Sequence, residues 1–478
     1  SGATYRGQSQ EGSSHSEWCD HTNNQLTMFH ARTVLAFTVV AMTSLLPYNL
    51  FMNAHEYFYY KLRNVTEMRG VEEDDLFTAA NKGYWNRSTL KSEPTTELQR
   101  TYEGWFTVTS GVACILGSLL NTVATNKLSN GFRVLSGHAI VILSLIPTLF
   151  YTFIDTDEDQ PHFFWLSMFF SSISSFGSMG LIGAGITGLA ATFPESYMQM
   201  VMIGQAVAGI CTSLLAILCQ AATANAILNG RIYFAIAFIW TLFSVLCYFC
   251  LVRSSYAKEI IERAEDGDRL LDSNDEDDGR EEVDYAEGEN DQGVISLTPM
   301  DSSLFDGWGE IMEQTRPDMA CAMFILIVTL AAFPAVASQV RTETLNETWR
   351  AYFSSICCFL LFNCCDAMGR VFASRVNISR SQLQKLSLLR LILVPLIVLC
   401  DVQPRFHSPT LIRNDAIFIL LNMVLALSHG FCFTHAYVKG VQSVEPALRE
   451  TAGSMLSLAC VAAALIGSMV GVGIVAIV

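Results

Sequence analysis

Apolar residues in this chain occur in long continuous blocks, separated by shorter polar stretches. Most blocks are about 20 residues long, which is the length that an α-helix needs to cross a bilayer. They lack the alternation of barrel strands, and a backbone in lipid must satisfy its own hydrogen bonds, so helices are the predicted form. We count eleven blocks, at residues 33–53, 106–124, 134–154, 164–190, 199–222, 232–252, 319–340, 352–371, 386–400, 416–438 and 452–478. The pattern therefore predicts an all-α integral membrane protein with eleven transmembrane helices.

The composition agrees with this prediction. Of the 478 residues, 51% are hydrophobic and 15% are charged, whereas soluble domains carry roughly 25% charged residues. The net charge of −16 is mostly local, because residues 253–316 hold 20 acidic and 6 basic side chains and account for −14 of it. The remaining chain is nearly neutral and has no basic face of the kind that binds nucleic acid.

The acidic segment divides the chain into six blocks followed by five. It is rich in Asp, Glu, Ser and Gly and poor in aromatic residues, which predicts disorder. It also contains Asp266, Leu270 and Leu271 at the spacing of an acidic dileucine sorting signal, so sorting adaptors are possible partners besides membrane lipids. We expect a cytosolic tail at 1–30, a six-helix bundle at 31–252 with a glycosylated extracellular loop at 54–103, an acidic cytosolic loop at 253–316, and a five-helix bundle at 317–478. The chain begins with Ser1 rather than Met, which we expect to reflect trimming or processing.

Glycosylation sequons predict the orientation of the helices. Asn64 and Asn86 follow block 1, and Asn346 follows block 7. Connections after odd-numbered helices lie on one side, so all three can be extracellular or lumenal, while the sequon at Asn377 would be cytosolic and unmodified. The short even-numbered connections and their flanking residues contain eight Lys and Arg residues, and Arg390 is one of these eight. The short odd-numbered connections contain five. The bias places the N-terminus in the cytosol and the C-terminus outside.

Several functional classes lack their motifs. The dipeptide Gly-Lys of a Walker A loop and the zinc motif HExxH are both absent. A GxGxxG sequence at Gly183, Gly185 and Gly188 lies inside an apolar block, where small residues favour close helix packing over dinucleotide binding. Of the 14 cysteines, 13 lie in or beside apolar blocks, as packing residues do. We therefore expect no enzyme, no cofactor and no metal site.

Block 8 carries ionisable residues at membrane depth. Phe359, Asn363, Asp366 and Arg370 follow one another at spacings that share a helical face. Such residues are costly in lipid and usually face a partner or a cavity. The pair of Asp366 and Arg370 fits either a structural ion pair or a site for a neutral, hydroxyl-rich ligand, and spacing alone leaves both open.

Polar and helix-disturbing residues also occur in blocks 1 and 5. Pro47 removes a backbone donor, and broken helices are tolerated where they line a cavity. Tyr48 and Met52 lie one turn apart and could face that cavity or pack. Gln205 is a single amide among small residues and could contact a ligand or another helix. The histidines at 138, 429 and 435 are expected to be packing residues.

Ordered motifs across nearly all of 33–478 resemble those of the equilibrative nucleoside transporter family, solute carrier family 29. The stretch LLPYNLFMNAHEYF resembles its first-helix motif, in which Trp is commoner than Tyr48. Further motifs are GLAATFPESYMQMVMIGQAVAG at 188–209, FPAV at 333–336, FNCCDAMGR at 362–370, RLILVPLIVLCDVQPR at 390–405 and ETAGSM at 450–455. The resemblance implies a 6+5 arrangement similar to the major facilitator fold. It also implies sodium-independent, equilibrative transport of nucleosides, sometimes nucleobases, by alternating access at the plasma membrane.

The resemblance also implies roles for individual residues. Asp366 and Arg370, with Asn363 beside them, would contact the ribose, while Tyr48 and Gln205 would line the nucleoside pocket. The outer gate would comprise Met52, Phe333, Pro334 and Phe359, and the inner gate Arg133 and Glu450. Many family members have a Gln in helix 4 that binds the base, but Leu181 or Gly183 aligns there, so base recognition must differ.

Two alternatives of related function remain at this stage. The dileucine match and the histidines are compatible with proton-linked nucleoside transport in a lysosome or another acidic organelle. A related branch carries organic cations and monoamines and has Glu where this chain has Gln205. A membrane enzyme or receptor is the alternative from another class, but the chain has no nucleophile set and more than seven blocks.

Overall fold

A computed structural model describes residues 11–64, 96–125, 127–223, 225–263, 308–403, 405 and 409–478, with side chains from residue 31 onward. Within these residues, eleven helices are long and apolar enough to cross a membrane, as the sequence pattern predicts. We number them in chain order as α1 (Ala31–Asn53), α2 (Glu97–Val123), α3 (Asn130–Tyr151), α4 (Gln160–Thr192), α5 (Glu195–Ala222), α6 (Ala226–Arg253), α7 (Trp308–Gln339), α8 (Glu347–Ala373), α9 (Arg380–Val398), α10 (Asp415–Gln442) and α11 (Arg449–Ile477).

The segment between α6 and α7 is more helical at its ends than its composition predicts. Residues 255–263 are helical, and α7 begins at Trp308, so residues 308–316 of the predicted disordered loop belong to a helix. Ile311 is buried and holds the start of α7 against the protein, which explains why the helix extends beyond its apolar block. The possible sorting residues Asp266, Leu270 and Leu271 lie outside the described residues.

Helix α1 departs from expectation, and four other helices depart from simple α-helical geometry. Of these four, α7 and α9 contain 3-10 segments at Ala337–Gln339 and Arg390–Ile392. The helix Glu11–Asn53, which contains α1, continues through Pro47 without a break, and the chain turns only at Ala54 before a short helix, His55–Lys61. In contrast, α4 and α8 each contain a π-helical segment, at Phe176–Gly183 and Ser354–Leu360. Such segments occur frequently at functional sites. Irregular helical geometry therefore occurs in α4, α7, α8 and α9 rather than at Pro47.

The six N-terminal helices and the five C-terminal helices form two halves that meet along α5 with α8 and along α11 with α2 and α4. One large apolar cluster includes residues of both halves, such as Leu189 of α4 and Ala452 of α11. A second cluster belongs to the C-terminal half alone and includes Val336, Cys400 and Phe418. The apolar core is thus continuous between the halves at the end where α11 begins.

Helices α8 and α10 cross in backbone contact. A Cβ added to Gly369 would lie 2.2 Å from the carbonyl oxygen of Leu427, and one added to Gly430 would lie 2.0 Å from the carbonyl oxygen of Asp366. No other residue fits at either position without a shift of the backbone. The crossing therefore fixes the position of Asp366 relative to α10.

Contacts between the connections that join the helices indicate which connections lie at the same end of the bundle. After α1, Arg63 forms an ion pair of 2.6 Å with Asp157, which follows α3. After α7, the amide of Arg341 donates to the carbonyl of Asp401, which follows α9. At the other end, Lys439 near the end of α10 donates to the side chain of Asn377 after α8. In the described residues, these contacts join odd-numbered connections to odd-numbered ones and an even-numbered connection to the even-numbered end of α10, as the sequon argument requires.

A buried lysine lies at the odd-numbered end. Lys61 is only 3% exposed, and its Nζ donates to the carbonyl of Ile154 at 2.5 Å. Burial lowers the pKa of Lys61, an effect that the nearby carboxylates of Asp155 and Asp157 oppose. Residues 54–64 after α1 and the connection after α3 therefore pack together on the N-terminal half.

Candidate functional site

Asp366 and Arg370 of α8 point into the protein rather than toward lipid. They are 4% and 5% exposed, and Arg370 Nε donates to Asp366 Oδ2 at 3.0 Å. Arg370 Nη1 also donates to the carbonyl of Met202 in α5, at 2.7 Å. Its guanidinium lies 5.6 Å from the ring centre of Phe433 in α10. The pair therefore lies where the two halves meet.

The second oxygen of the Asp366 carboxylate has no hydrogen-bond partner. Asp366 Oδ1 is buried and makes no hydrogen bond to any described residue. His429 Nε2 of α10 lies 4.0 Å from this oxygen, beyond hydrogen-bond length. An unpaired buried carboxylate oxygen is costly and requires an explanation, such as a bound ligand or ion. This oxygen is the most specific indication of a binding site in the described structure.

Asn363 joins α8 to α5 one turn before Asp366. Its Nδ2 donates to Ser213 Oγ at 2.9 Å and to the carbonyl of Phe359 at 3.0 Å. A Cβ on Gly209 of α5 would lie 2.2 Å from Asn363 Oδ1, so only glycine allows this approach. Asn363 therefore has a structural role at the interface in this conformation.

Gln205 lies on the face of α5 that contacts α8. Met202 and Gly209 of the same face contact Arg370 and Asn363, and Gln205 lies between them along the helix. Its half-buried amide makes no hydrogen bond to any described residue. The structure thus brings Gln205 to the level of Asp366 and leaves its amide free for a ligand.

The sequence reasoning missed Arg390 as part of this region. We counted it with the basic residues of the cytosolic connections, but in α9 it is only 2% exposed. It donates to Thr329 Oγ1, Ser428 Oγ and the carbonyls of Ile325 and Leu425. The polar residues Thr329 and Ser428 inside apolar blocks were the available signal, but only the fold shows that they surround one guanidinium.

The residues expected at the outer gate form two groups. In the C-terminal half, the Phe333 ring lies 5.7 Å from that of Phe359 and stacks on Phe362 at 3.7 Å, beside Pro334. Met52 instead packs against the cluster that contains the N-terminal core. Phe359 lies within the π-helical segment, and its carbonyl accepts from Asn363 Nδ2 at 3.0 Å.

Tyr48 lies within the N-terminal half. Its ring is half-buried and lies 5.4 Å from that of Phe106 in α2. Its hydroxyl makes no hydrogen bond to a described residue. Tyr48 therefore has a free polar group, while its ring is held by aromatic packing.

Arg133 and Glu450, expected at the inner gate, form a direct ion pair between the halves. Arg133 of α3 also donates to Asn121 Oδ1 at 3.0 Å and to the carbonyl of Leu128 at 3.1 Å. Asn130 Nδ2 donates to Glu450 at 3.0 Å. Further contacts reinforce the pair, since Asn121 Nδ2 lies 3.2 Å from Ser454 Oγ. This network closes the bundle at the end where α11 begins.

The predicted glycosylation sites differ in accessibility. Asn346 is exposed and caps the first turn of α8 by accepting the amide of Trp349 at 3.1 Å. Asn64 is partly buried and is the last described residue before residue 96 in the connection after α1. Asn86 lies outside the described residues.

Comparisons with known proteins agree with this architecture. A family model described as "Nucleoside transporter" matches residues 167–476. The chain is 27% identical to human equilibrative nucleoside transporter 1 over 435 residues, covering 88% of this chain and 92% of that one. It is 26% identical to human equilibrative nucleoside transporter 2 over 449 residues, with the same coverage. It is 24% identical to rat equilibrative nucleoside transporter 3 over 447 residues, covering 90% and 87%.

A solved structure supports the fold alone. The major facilitator superfamily proton:xylose symporter XylE superposes with a TM-score of 0.50 at 12% sequence identity, covering 92% of this chain and 88% of that one. Together with the eleven apolar helices, this likeness identifies a multi-pass membrane protein with an arrangement of the major facilitator type.

Proposed function

Because this chain belongs to the nucleoside transporter family, we propose that it carries nucleosides across a membrane by sodium-independent, equilibrative alternating access. The family is one of transporters rather than enzymes. The substrate lies between residues 31–252 and 317–478, which act as the two moving units. Only the concentration gradient of the nucleoside drives net transport.

The unpaired oxygen of Asp366 is the observation that carries this proposal. A nucleoside is neutral at physiological pH and presents adjacent hydroxyl groups on its ribose. A carboxylate accepts hydroxyl protons in charge-assisted hydrogen bonds, and the guanidinium of Arg370 can donate to the same sugar. Gln205 and Tyr48 bind the base from the N-terminal half.

The gates support alternating access. The ion pair of Arg133 and Glu450 closes one end, which we assign to the cytosolic side. At the opposite end, Phe333, Pro334 and Phe359 remain on the C-terminal half and Met52 on the other. Rocking of the halves would break the first contact and bring the second set together. Transport in each direction then follows from exchange between these states.

We place the protein in the plasma membrane. The N-terminus and the acidic connection lie on the cytosolic side, and the C-terminus lies on the extracellular side. Asn346 and Asn377 provide a matched test, because both sequons have an exposed asparagine. We expect Asn346→Gln to increase gel mobility by the loss of one glycan, and Asn377→Gln to leave mobility unchanged. A shift for Asn377→Gln instead would reverse the assigned orientation.

Substrate competition tests the function directly. Cells that express the chain should take up labelled uridine or adenosine without sodium, and excess unlabelled nucleosides should inhibit this uptake. Nucleobases measure the width of specificity, and monoamines should compete weakly, because the neutral amide of Gln205 offers no counter-charge to a cation. The absence of saturable nucleoside uptake by surface-exposed protein would refute the proposal.

The same experiment at two pH values separates equilibrative from proton-linked transport. The proximity of His429 to Asp366 is the observation that favours the proton-linked alternative. Equilibrative transport predicts similar uptake at both values and no accumulation above the external concentration. Accumulation driven by an acidic outer face would instead establish proton coupling, and imaging of tagged protein in organelles would place it there.

A further inference from the structure

His429 lies beside the unpaired oxygen of Asp366 with its ring held in place. Its Nδ1 lies 3.0 Å from Thr329 Oγ1, and its ring stacks on Phe433 at 5.3 Å and 13°. The opposite nitrogen, Nε2, makes no hydrogen bond to a described residue and lies 4.0 Å from Asp366 Oδ1. Two hydrogen-bonding atoms without partners are therefore adjacent in a region that is more than nine-tenths buried.

The distance between these atoms suits a hydroxyl group. An oxygen can lie about 2.8 Å from both of two atoms that are 4.0 Å apart, within normal hydrogen-bond length for each. Thr329 Oγ1 donates its only proton to the carbonyl of Ile325 at 2.7 Å, so the contact with His429 requires Nδ1 to carry the proton and leaves Nε2 as an acceptor. Asp366 Oδ1 and His429 Nε2 are then both acceptors and can receive the two protons of adjacent hydroxyls.

We propose that His429 is a further specificity-determining residue, which binds a ribose hydroxyl together with Asp366. This inference rests on the proposed function and adds a residue to its sugar site. Thr329 positions the imidazole and is itself held by Arg390, whose Nη2 donates to Thr329 Oγ1 at 2.6 Å. The family resemblance gave no role to His429, and the sequence analysis treated it as a packing residue.

The test compares uridine with 2′,3′-dideoxyuridine, which lacks both ring hydroxyls. Both uptakes are measured on the same cells, so their ratio is independent of the amount of transporter. We expect His429→Leu to raise the KM of uridine about tenfold, by the loss of one buried hydrogen bond. The KM of dideoxyuridine should change less than about twofold, because it makes no such bond.

Two further variants complete the experiment. His429→Asn retains a hydrogen-bonding side chain, so we expect it to restore part of the preference for uridine; it also serves if the leucine variant is not exported. His435→Leu removes another buried histidine of α10, one that makes no recorded contact with Asp366, and should leave the ratio unchanged.

The outcomes separate the role of His429 from the proposed nucleoside transport on which it rests. A smaller ratio of the KM of dideoxyuridine to the KM of uridine in the His429 variants than in the unmodified protein supports the inference. Equal losses for both nucleosides would give His429 a purely structural role and overturn it, while transport by the unmodified protein would still establish the function. Failure of the unmodified protein to carry any nucleoside would refute both.

Discussion

Asp366→Asn is expected to reduce nucleoside uptake at least about 100-fold while the protein still reaches the membrane. Hydrogen bonds to charged groups are worth about 1.5–3 kcal/mol each, and this change weakens those to the sugar and to Arg370 together. The amide keeps the shape of the carboxyl group but has only one acceptor oxygen. Initial uptake of labelled uridine, normalised to surface protein, measures the effect.

A second buried aspartate, whose arginine partner is 49% exposed, controls for the loss of a buried carboxylate. Removing one partner of a buried ion pair costs about 3–5 kcal/mol, so lost uptake could reflect unfolding alone. Asp318 of α7 is also buried, lies 2.8 Å from Arg380 Nη2, and belongs to the same half. We expect Asp318→Asn to retain uptake within about threefold. Normal transport by the Asp366 variant would remove the carboxylate from the sugar site.

Glu450→Gln should have the second-largest effect, and it should differ between the two faces of the membrane. It removes the charge that pairs with Arg133, a residue 2% exposed. Glu450 is 21% exposed, so solvent screens its interaction with Arg133, and we expect the lost interaction free energy to be about 1–2 kcal/mol. This loss would shift the equilibrium toward the cytosol-open state about tenfold. The apparent dissociation constant for a nucleoside on one face rises as the fraction of protein open to that face falls. The half-saturating concentration should therefore rise outside and fall inside.

Sealed vesicles of known orientation allow both measurements. Glu445 lies in the connection between α10 and α11, five residues before Glu450, and is exposed, so Glu445→Gln removes an identical charge without removing the contact between the halves. We expect that control to match the unmodified protein at both faces. Equal changes at the two faces in the Glu450 variant would exclude a gating role.

The sequence predicted the membrane helices well because the length and composition of an apolar block determine whether it can span lipid. It also predicted that Asp366 and Arg370 face inward, since a charge exposed to lipid is costly. Positions that depend on local irregularity were less predictable. Pro47 suggested a broken α1, but the helix continues, whereas the π-helical segment beside Phe359 has no clear signal in its sequence.

Contacts between distant helices were the least predictable part. Arg390, Thr329 and His429 are separated by 39 to 100 residues along the chain, and each alone resembles an ordinary packing or flanking residue. Their hydrogen bonds arise only when α7, α9 and α10 assemble. Prediction of the residues around the proposed sugar site therefore required the fold, whereas prediction of Asp366 required only its position in block 8.

The glycine crossing of α8 and α10 has a consequence for selectivity. Because Gly369 and Gly430 are in backbone contact across it, we expect these helices not to slide past one another, so that Asp366 and His429 would keep their spacing during the proposed transport cycle. The proposed sugar-binding side chains would then keep one fixed arrangement, while the N-terminal half closes over them and opens again. Influx and efflux should consequently rank different sugars in the same order, whichever side of the membrane supplies them.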